Sequence, residues 1–206
     1  MRLEVAKKAL SVTLAAAIAF APAITSMAAT TAATTTSSSS SSSTEAVVET
    51  TVVTPTVAGT KSTIAGAFTT KTIAAAVTTP KADVATSLGL AAGETAKVVT
   101  WDISAKKSPL AYAALNNAAA ALGVTVGPTF EFDINKVSKG KVVALASGAI
   151  QAKFTIPTKF RTAGADYKLI RVTSAGTEVI PVTVSADGTS FTATIPAGNA
   201  AYALVK

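Results

Sequence analysis

The chain contains no cysteine and no histidine. Without cysteine there are no disulfides, no thiol chemistry and no thiolate metal ligands. Without histidine no imidazole can relay a proton or bind a metal. Catalysis by a Ser-His-Asp or Cys-His arrangement is therefore excluded. We also expect no lipid anchor of the kind that is attached to an N-terminal cysteine.

Aromatic residues make up only 5% of the chain, and Trp101 is the single tryptophan. Much of the 49% apolar content is Ala and Val, so we expect a core rich in small residues. The formal charge is +7, but beyond the N-terminal segment basic residues are adjacent only at Lys106-Lys107. Because nucleic-acid binding needs a basic stripe or patch, we expect no nucleic-acid partner, and no cofactor motif is present.

Residues 1–28 have the three parts of a secretory signal peptide. These are a basic start, an apolar run over residues 9–21, and small residues at Ser26 and Ala28. The apolar run is shorter than the ~20 residues that a membrane-spanning helix needs. The pattern predicts export, cleavage after Ala28 or Ala29, and no stable membrane insertion of the mature protein.

Residues 29–45 are dominated by Ser and Thr, including consecutive serines from Ser37 to Ser43. Such a segment has no apolar side chains to bury and cannot offset the entropy lost on ordering. We therefore expect a disordered linker, which could carry O-linked glycans. The rest of the chain divides by pattern into an N-terminal α+β region (46–139) and a C-terminal all-β module (140–206), fitting one domain or two.

The first half of the N-terminal region predicts short elements. Val47–Val53 is rich in β-branched residues and predicts a strand, and Ser62–Thr70 with Lys71–Thr78 predicts a hairpin. A short helix should begin at Thr79-Pro80 and end at Gly89.

The second half of this region predicts strand, helix and strand. Lys97–Ile103 alternates, with Trp101 on the same face as Val99 and Ile103. The helix Pro109–Leu122 should pack with the stripe Ala111, Leu115, Ala118 and Leu122. Val124–Ile134 follows as a strand, so a crossover connection predicts a parallel pair with the helix above it and Trp101 buried beneath the helix.

Short strand patterns at regular spacing fill the C-terminal module. Turn signals such as Ser147-Gly148 and Asp187-Gly188 separate them. The predicted strands are Lys141–Leu145, Ala149–Ile156, Tyr167–Thr173, Glu178–Val184, Ser190–Ile195 and Ala200–Val205. This pattern predicts an antiparallel β-sandwich-like module, and the whole protein is expected to be mainly β with a minor α part.

The stretch from Phe154 onward, with FTIP, YKLIRV, EVIPVTV, DGTSFTATI and AYALV, resembles the terminal module of secreted and cell-surface proteins of Gram-positive bacteria. The upstream FEFDI and KSPLAYAALNNAAAALG resemble small secreted proteins that end in that module. The resemblance implies a β-sandwich-like architecture and an extracellular location. It implies no activity and transfers no site residue.

Three patterns could carry chemistry. Ser104-Ala105-Lys106-Lys107 fits the Ser-x-x-Lys spacing of penicillin-binding enzymes, but its serine ends a strand rather than opening a helix. Glu131 and Asp133 share a strand face about 7 Å apart and could act as a carboxylate pair, joined by Asp102 if the neighbouring strand lies alongside. Asp187-Gly188 could suggest calcium, but it has the context of a hairpin turn.

We therefore assign no catalytic, cofactor or metal residue from sequence. The remaining aromatics of the C-terminal module, Phe154, Tyr167, Phe191 and Tyr202, are expected in the core, with the Tyr202 hydroxyl bonded to a turn. The leading expectation is a secreted or cell-surface non-enzymatic module for adhesion, ligand presentation or envelope structure, whose partner is a cell-wall component or a host glycan or protein. The alternatives are a secreted hydrolase of polysaccharide or cell wall, and a carbohydrate-binding accessory protein with an exposed Trp101.

Overall fold

The computed structural model of the protein describes residues 51–206. The predicted signal peptide (1–28) and linker (29–45), and most of the predicted strand Val47–Val53, lie outside these residues. Within the described part, Val53 forms a single β-bridge with Gly66.

Strands dominate the described residues, and the mainly β fold with a minor α part is confirmed. The strands are β1 (Thr56–Val57), β2 (Thr60–Lys61), β3 (Gly66–Phe68), β4 (Ala75–Val77), β5 (Thr95–Asp102), β6 (Val126–Ser138), β7 (Lys141–Ala144), β8 (Ala149–Thr155), β9 (Lys168–Thr173), β10 (Gly176–Pro181), β11 (Thr183–Val184), β12 (Ser190–Pro196) and β13 (Ala201–Val205). The helices are α1 (Lys81–Ser87), α2 (Pro109–Ala121) and a single 3-10 turn (Thr158–Phe160).

Two sheets form a sandwich. The larger has the order β10-β9-β13-β6-β5-β3, with β7 also paired to β6, and the smaller has the order β11-β12-β8-β4. Strands β1 and β2 form a separate small hairpin. Neighbouring strands are antiparallel except β3 and β5, which are parallel.

Aromatic rings fill the space between the sheets. The predicted alternation on β6 is confirmed, because Phe130 and Phe132 are fully buried on the inner face. Phe154 of the small sheet contacts both, with ring centroids 5.4 Å from Phe130 and 5.5 Å from Phe132. It also stacks on Phe191 at 5.0 Å. Burial of these large apolar surfaces is the main stabilising contribution to the sandwich.

The four C-terminal aromatics predicted for the core are buried there. The expected hydrogen bond of Tyr202 to a turn is wrong, because its hydroxyl is buried beside Arg171 without a partner of normal geometry. Tyr167 has that role instead. Its hydroxyl accepts the Thr162 N–H at 2.7 Å and donates to the Phe160 carbonyl at 2.9 Å.

Helix α2 covers part of the outer face of the large sheet, over β9, β13 and β6. Its buried residues are Leu115 and Ala119, which pack on Ile103 and on the outward side chains of β9 and β13. The predicted stripe is wrong at its C-terminal end, because Leu122 is 49% exposed. The helix ends at Ala121, so Leu122 no longer follows the helical spacing that would turn it toward the sheet.

The strands on the two sides of α2 are antiparallel, so the predicted parallel crossover is wrong. Asp102 at the end of β5 pairs with Phe130 near the start of β6. The chain therefore leaves and re-enters the sheet at the same end. A parallel pair would have required the connection to reach the opposite end.

Both sheets combine strands from 46–139 with strands from 140–206. In the large sheet β13 lies beside β6, and in the small sheet β4 lies beside β8. The predicted hairpin between Ser62–Thr70 and Lys71–Thr78 is also wrong, because β3 belongs to the large sheet and β4 to the small one. The predicted strand Glu178–Val184 likewise divides at Pro181 into β10 and β11, one in each sheet.

Candidate functional site

A patch of polar and aromatic side chains lies on the outer face of the large sheet, beside α2. Register places Trp101 directly opposite Glu131, and Val99 directly opposite Asp133, on β5 and β6. Because side chains two apart in a strand share a face, Asn135 continues the same row. We call these five residues the outer patch: Val99, Trp101, Glu131, Asp133 and Asn135.

The polar groups of the outer patch are poorly hydrated and sparsely paired. Asp133 is 5% exposed and Asn135 8% exposed. The Asp133 carboxylate accepts one hydrogen bond, from the Ala200 N–H at 3.3 Å. Solvent therefore has little access to the Asp133 and Asn135 side chains.

Both carboxyl groups of the outer patch have raised pKa values. Partial burial raises the pKa of Glu131 to about 7, and the neighbouring Asp133 charge adds to the increase, while hydrogen bonding from Trp101 opposes it. Burial raises the pKa of Asp133 to about 6, opposed by the Ala200 N–H. Near neutral pH the patch is therefore only partly ionised, and a protonated carboxyl can donate a hydrogen bond as well as accept one.

Raising the pH from about 5 to about 8 is expected to lower the melting temperature through these groups. Their pKa values are raised in the folded state, so their stabilising contribution is fully present below the unfolded values near pH 4 and is lost as the pH rises through about 6 for Asp133 and about 7 for Glu131. Calorimetry across this range checks the trend. Glu131→Gln, which stays neutral, should flatten it.

A melting temperature that rises over this range, or an equal slope in Glu131→Gln and the parent protein, would contradict the assignment. Two other carboxyl groups have lowered pKa values, and their titration lies below this pH range. Hydrogen bonds lower the pKa of Glu94 from 4.5 and that of Asp187 to about 2. Their stabilising contributions are lost only as the pH falls below this range.

The predicted burial of Trp101 beneath the helix is wrong. The indole lies on the same face as α2, as the alternation indicated, but it is only half-buried and lies outside the apolar cluster that the helix covers. Ile103, two residues further on, occupies that cluster and is 4% exposed. Helix α2 therefore packs over Ile103 but does not cover Trp101.

Asp102 does not join Glu131 and Asp133. It pairs with the inward-facing Phe130, so it belongs to the opposite face of the sheet. Its carboxylate accepts the backbone N–H groups of Lys71 and Thr72 at 2.7 and 3.1 Å, and the Thr72 hydroxyl. These bonds hold the segment in which the chain passes from β3 in one sheet to β4 in the other.

The Ser-x-x-Lys segment forms a turn rather than a nucleophile site. The Lys107 N–H donates to the hydroxyl and to the carbonyl of Ser104, both at 3.2 Å. The Lys106 and Lys107 side chains are exposed. The serine hydroxyl thus closes the loop that leads into α2.

Asp187-Gly188 forms the predicted hairpin turn between β11 and β12. The Asp187 carboxylate accepts the Thr189 N–H at 3.0 Å and the hydroxyls of Thr189 and Ser185. Its oxygens are thus engaged within the turn. No group of three or more His, Cys, Asp or Glu side chains in residues 51–206 is placed to hold a metal ion.

Two clefts lie away from the outer patch. One, of about 330 Å³, is lined by residues such as Thr79, Asp83 and Gln151. The other, of about 450 Å³, lies between the loop 161–167 and the turn 184–188. Neither brings Ser104 or the Glu131–Asp133 pair into a concave site.

Comparisons with protein family models, with curated proteins and with solved structures found no match to this chain. In the part of the chain that the structure describes, no helix has the length and apolar character required to cross a membrane.

Proposed function

We propose that this protein is an exported, non-enzymatic module that works outside the cell in adhesion, ligand presentation or envelope structure. The observation that carries the proposal is that the Ser104 hydroxyl and the Asp102 carboxylate bond backbone groups of nearby loops, and that the Glu131–Asp133 pair lines neither cleft. What the sandwich offers instead is a sheet face on which the partly exposed Trp101 and Glu131 lie directly opposite each other. Such a face suits binding.

Two of the groups that a hydrolase could use have other roles. The Ser104 hydroxyl closes a turn, and the Asp102 carboxylate holds the β3–β4 connection. The remaining pair, Glu131 and Asp133, lies on the sheet face rather than in either cleft. Glycoside hydrolysis requires two carboxyls flanking a bound sugar, one as acid and one as base or nucleophile, whereas Asp133 is buried in the sheet face and only 5% exposed.

Export is supported by the sequence of residues 1–28, and the Ser/Thr-rich linker would hold the sandwich at a distance from an attachment surface. On this proposal the secreted form begins at Ala29 or Thr30. Mass spectrometry of the protein from the medium or cell surface measures its N-terminus. An extracellular form that retains residues 1–28 would contradict the export step.

The binding role is tested by sedimenting the mature protein with purified insoluble cell wall and with immobilised host glycans. We expect it to be retained on at least one of these supports without releasing reducing sugar. Ser104→Ala is the matched control, and it should be retained equally because the hydroxyl only closes a turn. Release of reducing ends by the parent protein would identify a hydrolase, and absence of retention on every support would overturn the binding role.

A further inference from the structure

We propose that the cleft between the loop 161–167 and the turn 184–188 binds a short peptide with a free carboxyl group and a free amino group. Arg161 would bind the carboxylate of this peptide, and Asp187 its ammonium group. The inference rests on the extracellular binding function proposed above and names a ligand class for it. It is carried by the preformed walls of the cleft and by two opposite charges that do not neutralise each other.

Hydrogen bonds within each wall hold the cleft in shape. In the loop, the Tyr167 hydroxyl accepts the Thr162 N–H at 2.7 Å and donates to the Phe160 carbonyl at 2.9 Å. In the turn, the Ser185 hydroxyl accepts the Ser190 N–H at 3.0 Å. The volume of about 450 Å³ falls within the range of about 300–1,000 Å³ that is typical of ligand sites. A site that is already ordered loses less free energy when it binds.

Phe160 anchors the loop that carries Arg161. The ring packs so closely on Gly127 that a Cβ added there would lie 2.5 Å from it. The Tyr167 ring is 6.0 Å away between centroids, and the Lys206 ammonium lies 4.5 Å from the centroid of the Phe160 ring. That ammonium also donates to the Phe160 carbonyl at 3.0 Å. The position of Arg161 is therefore fixed by packing on both sides of the chain.

Arg161 supplies the positive charge of the cleft. Its Nε donates to the Ile156 carbonyl at 2.7 Å, which orients the guanidinium group. No carboxylate within residues 51–206 lies at ion-pair distance from this group. Because the residue is exposed, a ligand can reach it. A guanidinium binds a carboxylate through parallel hydrogen bonds, so its Nη groups suit the carboxyl end of a peptide.

Asp187 supplies the negative charge, on the other wall of the same cleft. Hydrogen bonds from Ser185 and Thr189 lower its pKa to about 2, so the carboxylate is ionised at neutral pH. Its Oδ2 accepts the Thr189 hydroxyl at 2.8 Å, and a carboxylate oxygen can accept a second hydrogen bond. Asp187 forms no ion pair with Arg161. Two opposite charges in this arrangement favour a ligand that carries both.

The remaining lining of the cleft favours a peptide with small side chains. The residues between the two charges are small and mostly apolar: Ala163, Gly164, Ala165, Val184, Ala186 and Gly188. Contacts with such residues favour alanine-sized side chains, because no deep apolar pocket is present among them for a larger one. The hydroxyls of Thr162 and Ser185 also line the cleft, and they can bond the peptide groups of a bound backbone.

The test titrates the ¹⁵N-labelled mature protein with trialanine, with its C-terminally amidated form and with its N-acetylated form, each at millimolar concentration. We expect trialanine to shift the NMR amide signals of Gly164 and Gly188, one in each wall. Each capped peptide should bind about tenfold more weakly, because it has lost one charged group that bonds the protein.

Variants identify the partner of each peptide end. Arg161→Gln should weaken trialanine binding about tenfold but leave binding of the amidated peptide unchanged, since that peptide has no carboxylate. Asp187→Asn, which can still accept hydrogen bonds within the turn, should weaken trialanine binding and leave binding of the acetylated peptide unchanged. Lys159→Gln is the matched control, because Lys159 is an exposed cation near Arg161 that does not line the cleft. Circular dichroism confirms that each variant is folded.

Three results would overturn the inference. Capped peptides that bind as tightly as trialanine would show that the charges are not used. An equal loss of trialanine and amidated-peptide binding in Arg161→Gln would show that Arg161 does not bind the carboxylate. Absence of any shift with trialanine, while the protein is still retained on cell wall or glycan, would overturn this site and leave the proposed binding function standing.

Discussion

Phe154→Ala is expected to destabilise the protein by about 3–5 kcal/mol, the usual cost of removing a buried aromatic side chain. Phe154 is fully buried and contacts three other rings, at 5.0, 5.4 and 5.5 Å. The substitution leaves a cavity where both sheets meet, and no adjacent side chain can fill it without leaving its own contacts. This loss is a large part of the 5–15 kcal/mol typical of a folded domain.

Urea denaturation followed by circular dichroism measures this loss. Phe154→Leu, which retains most of the apolar volume, should lose clearly less, and the surface variant Leu110→Ala should change stability by less than about 0.5 kcal/mol. If Phe154→Ala unfolded at the same urea concentration as Leu110→Ala, the ring cluster would not be the centre of the core.

Gly148→Ala is expected to cost about 2–4 kcal/mol, because two unfavourable effects combine at this position. The backbone has φ +99, which side-chain-bearing residues rarely adopt. An added Cβ would also lie 2.7 Å from the Ser87 carbonyl oxygen and 2.8 Å from the Leu88 Cα. These are backbone atoms at the end of α1, so the helix would have to move away from the start of β8.

Gly164→Ala separates the two effects. Gly164 has φ +70, but nothing lies within 4 Å of an added Cβ. It should therefore cost only the backbone term of about 1–2 kcal/mol. Thermal or urea unfolding of both variants gives the difference, which measures the contact with α1. Equal losses in the two variants would show that α1 is not tightly packed against Gly148.

The sequence predicts elements that depend on local spacing. Alternation places Phe130 and Phe132 inward and Glu131 outward, and it follows directly from the period of two in a strand. Asp187-Gly188 is a turn because its side chain bonds nearby groups in the chain. The Pro109 start of α2 likewise follows from the fixed φ of proline.

Sheet partners are not encoded by such local signals. Neither strand of the expected hairpin at 62–78 shows in its own residues that it pairs with β5 or with β8, and the bonds of Asp102 to Lys71 and Thr72 that direct this separation join residues about thirty positions apart. The same limit applies to the orientation of β6, because strand and helix patterns do not show to which end of the sheet the chain returns.

The candidate site was only partly predictable. Glu131 and Asp133 are recognisable as a pair on one face, and Trp101 as the residue that decides between core and ligand surface. The exposure of Trp101 depends on how much of the sheet face α2 covers. That coverage is decided by tertiary packing and not by the two-residue period of the strand. Asn135 was missed because the predicted strand ended at Ile134, although the alternation continues one residue further and would have included it.

Each sheet of the sandwich joins strands from early and late parts of the chain, which affects the time at which the protein can fold. Strand β13, near the end of the chain, lies between β6 and β9, and β4 completes its sheet only when β8 is present. Contacts between residues far apart in sequence make folding slow, because the chain loses the entropy of loop closure before the strand pairs can stabilise it. Neither sheet of the sandwich can be completed before its late strands have been synthesised, and if the protein is exported as proposed, this delay would keep the chain able to pass through an export channel until then.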